Sequence, residues 1–527
     1  MAASLLRLVL LLPLLTLLAR AQEFDLVIRH ARLIDGTGAP AVAGDLAIRG
    51  EQIAAVGKFP GKGRTEIDAA GRVVAPGFID VHTHSEDITE LPLAENFLRM
   101  GVTTIITGNC GFSKVDIAEF FRDIETTKVA INIGTLIGQG AVHLQVIGGG
   151  FARPPTAAEL DQMRALVDRA MQDGAVGLST GLIYIPGAFT KTEELVALAK
   201  VAAARGGIYT SHMRHENAQI VEALEEVATV AREAHIPAEV SHIKLSSPAA
   251  WGRAQEIVAW LDRARASGLA ITEDQYVYTA ASTSIGSLID SEFREGGNEK
   301  FRERLADPEM KARMITKMKD SIVQGQRGDY AYAVIANFDA DPTLNGKNIR
   351  EAAKILRGSD TLDDQIETIL DIHARGGALG VFHGMNEDDL QVFLRQPLTM
   401  IASDGGLERF GQGVPHPRGY GNNARVLGRY VRELKLLTLE DAVRKMTTLP
   451  AQTFHLGNRG ILKAGAVADV VIFDPATVGS TSTFTDPHHY AVGFSDVIVN
   501  GTPVIRDGAL TGARPGKPVR LVPASSN

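Results

Sequence analysis

Eight short apolar segments recur between residues 76 and 450 of this 527-residue chain, and stretches with a helical hydrophobic pattern separate them. Strands that alternate with helices form a parallel sheet, so the chain is predicted to be an α/β protein. Eight such strands predict a (β/α)8 TIM-type barrel, whose active site lies at the C-terminal strand ends. The predicted strands end at or near His84, Cys110, Gly138, Thr180, His212, His242, Tyr278 and Asp404.

Both ends of the chain carry short β-type patterns. Residues 24–74 alternate apolar and polar positions, and residues 468–507 do so again around a tight Asn500-Gly501 turn. We therefore predict one small β-sandwich domain built from residues 22–75 and 451–527, with the barrel at residues 76–450. Residues 286–375 interrupt the alternation of strands and helices and are predicted to be an insertion. The sequence does not decide whether this insertion is a lid or a wall of the site.

Residues 1–21 have the pattern of a signal peptide. Arg7 precedes an apolar run over residues 8–18, and Ala19-Arg20-Ala21 fits a cleavage site. The run is short for a membrane span, so we predict cleavage after Ala21, no stable membrane insertion, and a secreted or periplasmic protein. An uncleaved membrane anchor is the alternative. The net charge of −8, without a basic cluster, gives no indication of a nucleic-acid partner.

Residues that ligate metals or transfer protons stand at five of the predicted strand ends. They are His82, His84, Cys110, His212, His242 and Asp404. The His-x-His spacing directs two imidazoles to one side of a strand, and imidazole, thiolate and carboxylate together suit zinc. Taken singly, each has a structural explanation, such as a buried thiol for the lone cysteine or a helix N-cap for the aspartate. Their coincidence at the strand ends predicts a metal site.

Several motifs resemble those of the amidohydrolase superfamily, and more narrowly those of the N-acyl-D-amino-acid deacylases (D-aminoacylases). The more specific ones are Gly108-Asn-Cys-Gly-Phe-Ser113 and Tyr209-Thr-Ser-His-Met-Arg-His-Glu216. The resemblance implies one tight Zn²⁺ held by Cys110, His212 and His242, with His82 and His84 at a second, weaker or empty position. Many binuclear relatives bridge two metals with a lysine after strand four, but this chain has Gly177-Leu-Ser-Thr180 there.

The resemblance also implies a reaction and a small-molecule substrate. The protein would hydrolyse the amide bond of N-acyl-D-amino acids, with Asp404 as the general base that takes the proton of water and returns it to the leaving amine. The substrate carboxylate requires cations and hydrogen-bond donors. The candidates, each of which has a surface cation or a packed aromatic ring as its alternative, are Tyr184, Lys244, Tyr276, Tyr278 and Arg418.

Two other functions remain open from the sequence. One is an amidohydrolase that cleaves a different C–N bond, in a dipeptide-like or cyclic amide, and the other is a non-catalytic barrel scaffold. Gly138-Gln-Gly140 departs from the Gly-His-Gly that the family often has, and His143 stands near a usual arginine position. These departures bear on the acyl group and on the second metal. The sequence leaves the oligomeric state open.

Overall fold

A computed structural model of the chain describes residues 23–522, so the predicted signal peptide lies outside the described residues. Eight parallel strands stand at the centre of the fold. They are β1 (Phe78–Asp80), β2 (Val102–Thr107), β3 (Asn132–Thr135), β4 (Gly177–Gly181), β5 (Ile208–His212), β6 (Ala238–Val240), β7 (Ile271–Gln275) and β8 (Thr399–Ile401).

Backbone hydrogen bonds close these strands into a barrel. Strands β1 to β3 pair in order, as do strands β4 to β8, and the short strand Ile137–Gly138 extends the second group beside β4. The Val176 amide donates to the Thr135 carbonyl at 2.9 Å, and the Asp404 amide donates to the His82 carbonyl at 2.9 Å. The first bond joins β3 to β4 and the second joins β8 to β1. The predicted (β/α)8 barrel is therefore confirmed.

Four of the barrel strands that lead to candidate ligands end earlier than the sequence pattern indicates. Strands β1, β2, β6 and β8 stop two or three residues before His82, Cys110, His242 and Asp404. The backbone at Cys110, His242 and Asp404 has φ of 54°, 37° and 51°, in the left-handed region that a strand does not use. Holding such a residue costs about 1–3 kcal/mol, and this conformation turns the chain at the barrel mouth. These side chains therefore lie on loops.

Helices connect the barrel strands and surround them. Helix Ala157–Asp173 shows why they form: Thr156 and Glu159 make a capping box at its start, and Met163 and Val167 are buried beneath it. No helix within residues 23–522 is both long and apolar enough to span a membrane. The helices of this layer are Glu95–Leu98, Ile117–Thr127, Gln139–Ile147, Ala157–Asp173, Thr192–Ala204, Ile220–Ala234, Ala254–Ala266, Glu387–Leu394, Arg418–Arg425, the π-helical Val426–Glu433, Leu439–Lys445 and Thr448–Thr453.

The two chain ends form one continuous nine-stranded sheet. Val73–Pro76 links them, because it pairs with Glu23–Leu33 on one side and with Val470–Phe473 on the other. The sheet folds over on itself: the Ala468 amide donates to the Glu51 carbonyl at 2.8 Å, which brings the turn between Val42–Arg49 and Gln52–Gly57 against the C-terminal part of the sheet. Its strands are Glu23–Leu33, Val42–Arg49, Gln52–Gly57, Lys62–Asp68, Val73–Pro76, Val470–Phe473, Phe494–Val499, Thr502–Arg506 and Ala509–Leu510.

The last described residues leave this sheet. The Val519 amide donates to the Ile133 carbonyl at 2.8 Å, and the Leu521 amide donates to the Gly174 carbonyl at 3.2 Å. Val519 also packs with Ile106 and other barrel residues in one apolar cluster. The C-terminal segment therefore covers the end of the barrel opposite the site.

An insertion between β7 and β8 has its own sheet and its own core. Its three strands are Ala280–Ser284, Ala333–Asn337 and Leu379–His383, which extend beyond residues 286–375. Phe293, Phe301 and Phe338 are buried in its core. Its helices are Ser291–Arg294, Gly297–Ala306, Pro308–Gln324, Ile349–Arg357 and Leu362–Ala374. The short 3₁₀ helices of the chain are Gly187–Phe189, Pro248–Ala250, Ile285–Leu288 and Pro342–Leu344.

Candidate metal centre

One thiol and three imidazoles meet at the mouth of the barrel. Cys110 Sγ lies 3.4 Å from His82 Nε2, 3.6 Å from His212 Nδ1 and 3.8 Å from His242 Nε2. With Zn–S near 2.3 Å and Zn–N near 2.0 Å, tetrahedral sulfur and nitrogen ligands lie about 3.5 Å apart. The observed spacings fit that value, so Cys110 and these three imidazoles have the geometry to hold a zinc ion. The ligand atoms of His82, Cys110 and His242 all lie within 4.8 Å of one another.

The environment of Cys110 favours its metal-binding form. Burial opposes ionisation, but His82, His212 and His242 outweigh it and hold the pKa of the Cys110 thiol well below its usual value. The thiolate is the species that binds metals. Strand β4 provides no lysine; instead Ser179 Oγ accepts a hydrogen bond from the Gly111 amide at 3.1 Å. Strand β4 thus supports the loop that carries Cys110.

A second group of possible ligands adjoins the first. Asp404 Oδ1 lies 3.2 Å from His84 Nε2 and 3.6 Å from His82 Nε2, and its Oδ2 lies 2.7 Å from Arg418 Nη1. Burial opposes the charge of Asp404, but Arg418, His242 and His82 hold its pKa well below the usual range. A buried, ionised carboxylate beside the histidines can accept a proton or bind a cation.

Glu216 belongs to the site although the sequence analysis did not single it out. Its Oε1 lies 3.1 Å from His242 Nδ1, and its Oε2 lies 3.8 Å from His212 Nε2. Lys244 Nζ lies 2.5 Å from Glu216 Oε1. Burial opposes ionisation, yet Lys244, His212 and His242 lower the pKa of Glu216 to about 2. Its place in the same motif as His212 was the signal that could have identified it.

Asp274 is the second carboxylate that the sequence analysis missed. Its Oδ2 lies 3.1 Å from His82 Nδ1, and its Oδ1 accepts a hydrogen bond from the His242 amide at 3.1 Å. Two adjacent acidic residues, Glu273 and Asp274, inside a predicted strand were the signal. Carboxylates behind ligating imidazoles orient the rings and increase their basicity.

Replacing the Glu216 carboxylate is expected to weaken metal binding. Glu216→Gln removes the charge shared by the outer nitrogens of His212 and His242, and we expect zinc affinity to fall about 10- to 100-fold. Competition with a chromophoric chelator measures this affinity. Glu256→Gln, at an ion pair with Arg253 on the surface, is the control. Equal zinc affinity in the parent and both variants would contradict the expectation.

Two cavities open beside these residues. The first cavity, of about 590 Å³, is lined by His212, His242, Glu216 and Lys244 and extends to Tyr332 and Phe382 of the insertion. The second cavity, of about 500 Å³, is lined by His84, Cys110, Phe112 and Arg418. Both include Tyr184, Ser282, Thr283 and Asp404. The insertion therefore forms a wall of the site.

The predicted substrate residues divide into two groups. Tyr184, Lys244 and Arg418 line the cavities. Tyr276 and Tyr278 line neither: the Arg418 guanidinium lies over the Tyr276 ring at 4.7 Å, and Tyr278 packs at 5.3 Å from the His416 ring. Both tyrosines are buried, and both follow the end of β7 at Gln275.

The residues that depart from the family pattern also lie behind the site. Gln139 Nε2 donates to Thr190 Oγ1 and to Glu194 Oε1, both at 2.9 Å. His143 Nδ1 lies 3.5 Å from Glu194 Oε1. Neither Gln139 nor His143 lines the first or the second cavity. Their contacts are those of a buried polar cluster between helices.

Comparison with known proteins agrees with this geometry. A sequence model of the amidohydrolase family matches residues 65–505. The D-aminoacylase of Alcaligenes xylosoxydans is 34% identical over 525 residues, which cover 94% of this chain and 98% of that protein. The N-acyl-D-glutamate deacylase of the same organism is 34% identical over 524 residues, which cover 95% and 97%.

A solved structure extends the likeness to three dimensions. The N-acyl-D-glutamate deacylase of Bordetella bronchiseptica, complexed with zinc and a phosphonate that mimics its tetrahedral intermediate, superimposes with a TM-score of 0.81. It is 33% identical, and the match covers 95% of this chain and all of that one. The barrel, the terminal domain and the insertion therefore lie within the matched region.

Proposed function

The chain belongs to the amidohydrolase family, and from that membership we propose that it hydrolyses N-acyl-D-amino acids to a carboxylate and a free D-amino acid. The observation that carries the proposal is the buried group of one thiol and three imidazoles beside Asp404, at the mouth of a barrel that also presents Lys244; the four ligand candidates are Cys110, His82, His212 and His242. The proteins with 34% identity over nearly the whole chain act on this class of small molecule.

The enzyme depends on a metal, which we propose to be Zn²⁺. The tight position consists of Cys110, His212 and His242, and a second, weaker position consists of His82 and His84. When bound, zinc lowers the pKa of water and polarises an amide carbonyl. The thiolate with two imidazoles is a donor set that suits zinc better than magnesium or calcium.

Asp404 transfers the protons in this proposal. Its carboxylate lies beside both members of the His-x-His pair, and Arg418 keeps it ionised and in place. It takes the proton of the attacking water and delivers it to the leaving amine, as a general base followed by a general acid. Because Arg418 already pairs with Asp404, only its remaining N–H groups are available to the substrate.

Lys244 is the proposed partner of the substrate carboxylate. It lines the first cavity, its side chain is 4% exposed, and Glu216 holds its ammonium group in place. Tyr184 is the other predicted substrate residue there, and its hydroxyl is hydrogen-bonded to Thr283 at 3.0 Å. Lys244 and Tyr184 are supported by their position in the wall of the cavity. Tyr276 and Tyr278 line neither cavity, and in this proposal they act by packing against residues of the site.

Lys244→Met is expected to remove the preference for a carboxylate. A hydrogen bond to a charged group contributes about 1.5–3 kcal/mol, so kcat/KM for an N-acyl-D-amino acid should fall about 10- to 150-fold. The corresponding primary amide, which lacks the negative charge, should lose much less. Lys300→Met, at a surface ion pair, is the control. Equal losses for acid and amide would show that Lys244 does not bind the carboxylate.

Release of free amine from paired N-acetyl-D- and N-acetyl-L-amino acids tests the function. The zinc-loaded protein is assayed with hydantoin and dihydroorotate as controls, and hydrolysis of the D compounds alone is expected. Hydrolysis of the rings or of L compounds would indicate a different C–N bond. No hydrolysis of any amide by zinc-loaded protein would favour the scaffold.

We also propose export to the periplasm or the medium, with the signal peptide removed after Ala21. The support is the charge, apolar run and small residues of positions 1–21. Terminal sequencing of the protein purified from its native compartment tests it.

We propose the domain bounds 22–75 and 451–527 for the terminal domain and 76–450 for the barrel, with residues 511–522 crossing beneath the barrel.

A further inference from the structure

We propose that the second cavity is an acyl-chain site, and that the preferred substrates carry a linear apolar acyl group longer than acetyl. This inference rests on the proposed deacylase function and names the half of the substrate that each cavity receives. The amino-acid half, with its carboxylate, occupies the first cavity. The acyl chain extends from the scissile carbonyl into the second.

The lining of the second cavity is the first observation. Phe112, Leu379, Leu407 and Pro415 contribute apolar surface to it. Phe112 is 40% exposed and Leu379 is 45% exposed, although both are large apolar side chains. Exposed apolar surface that is grouped in a concave site is typical of ligand binding. A methyl group would cover little of this surface, whereas an alkyl chain would cover much of it.

The distribution of charge is the second observation. In the second cavity, Arg418 is neutralised by Asp404 at 2.7 Å, and Glu408 adds a further carboxyl group. In the first cavity Lys244 is likewise paired with Glu216, but this cavity also holds Arg327, which forms no ion pair within residues 23–522. Arg327 stacks on Tyr332 at 3.7 Å and donates to the Ser246 carbonyl at 2.6 Å. The substrate anion is therefore favoured in the first cavity and disfavoured in the second.

The boundary between the cavities is the third observation. Asp404 lines both of them, so a bond cleaved beside it has one half of the substrate on each side. Tyr184 and Thr283 also line both, and their 3.0 Å hydrogen bond connects the loop after β4 to the insertion. A substrate that lies beneath this connection extends in two directions from the metal.

An acyl series on one D-amino acid tests the proposal. Acetyl, butanoyl, hexanoyl and octanoyl compounds differ by two methylenes at each step. We expect kcat/KM to rise about two- to fourfold per buried methylene, so that the octanoyl compound, with six more methylenes, exceeds the acetyl compound by at least about 60-fold when all of them are buried. A flat or falling series overturns the proposal. A succinyl compound, which places a carboxylate in the second cavity, should be hydrolysed more slowly than the butanoyl compound.

A variant of the cavity wall locates the effect. Leu379→Ser should lower the octanoyl-to-acetyl ratio of kcat/KM about three- to tenfold, because it removes apolar contact with the chain. Leu434→Ser is the matched control, since Leu434 is 42% exposed and lines neither cavity. An unchanged ratio in Leu379→Ser overturns the assignment of this cavity.

A binding measurement separates the two proposals. Calorimetry on the zinc-loaded Asp404→Asn variant, which is expected to lose most of its turnover, gives the affinity for each member of the acyl series. If no compound is hydrolysed, the deacylase function fails. A higher affinity for octanoyl than for acetyl still supports the acyl-chain site, and equal affinities overturn it.

Discussion

The Asp404→Asn enzyme is expected to retain zinc and to lose most of its turnover. Asparagine has nearly the same shape and leaves Cys110, His212 and His242 in place, but its amide does not accept a proton. Proton transfer by a positioned group contributes about 10²- to 10⁴-fold, so kcat should fall by that factor. The measurement pairs zinc content by atomic absorption with kcat on an N-acyl-D-amino acid.

The control for this variant is Asp486→Asn. Asp486 is exposed and contacts His489, away from the metal centre, so this variant should keep parental kcat and zinc. Full activity in Asp404→Asn would remove Asp404 as the general base. A loss of both zinc and activity would instead assign Asp404 to metal binding, which its 3.2 Å distance to His84 also permits.

Cys110→Ser is expected to remove the metal from the tight position. Cys110 Sγ is the atom around which His82, His212 and His242 are arranged, and a serine hydroxyl stays protonated at neutral pH. Loss of an outer carboxylate weakens metal binding by about 10- to 100-fold, and we expect loss of the thiolate to exceed that. Zinc titration against a chelator gives the affinity, and turnover should fall with the zinc content.

A separate measurement must exclude misfolding of Cys110→Ser, because the thiol is buried in the centre of the site. The melting temperatures of the metal-free parent and variant serve as the control, and they should agree within a few degrees. Parental zinc affinity and activity in Cys110→Ser would contradict the assignment of Cys110 as a ligand.

Ser179→Ala, which loosens the Cys110 loop without changing a ligand, should give an intermediate zinc affinity.

Much of the architecture follows from local sequence patterns. Apolar runs of strand length that alternate with helical segments are a property of neighbouring residues, and they predicted the barrel and the contribution of both chain ends to one small β domain. The candidate ligands were identifiable because each follows an apolar run, and all strand ends of a parallel barrel converge. The residues at which the strands end were not identifiable from the sequence, because the left-handed turns at Cys110, His242 and Asp404 depend on the loops around them.

Tertiary structure alone decided how side chains distant in sequence meet. The Arg418–Asp404 pair, the two oxygens of Glu216 behind His212 and His242, and the burial of Tyr276 depend on barrel closure and on side-chain directions. The insertion, whose sequence lacks the strand–helix alternation of the barrel, supplies one wall of the first cavity. By itself, the sequence determined the fold class and the chemical types of the candidate ligands, since hydrophobic periodicity and donor identity are local. The division of the site into two cavities was decided only by the fold, because cavity shape depends on contacts between segments far apart in the chain.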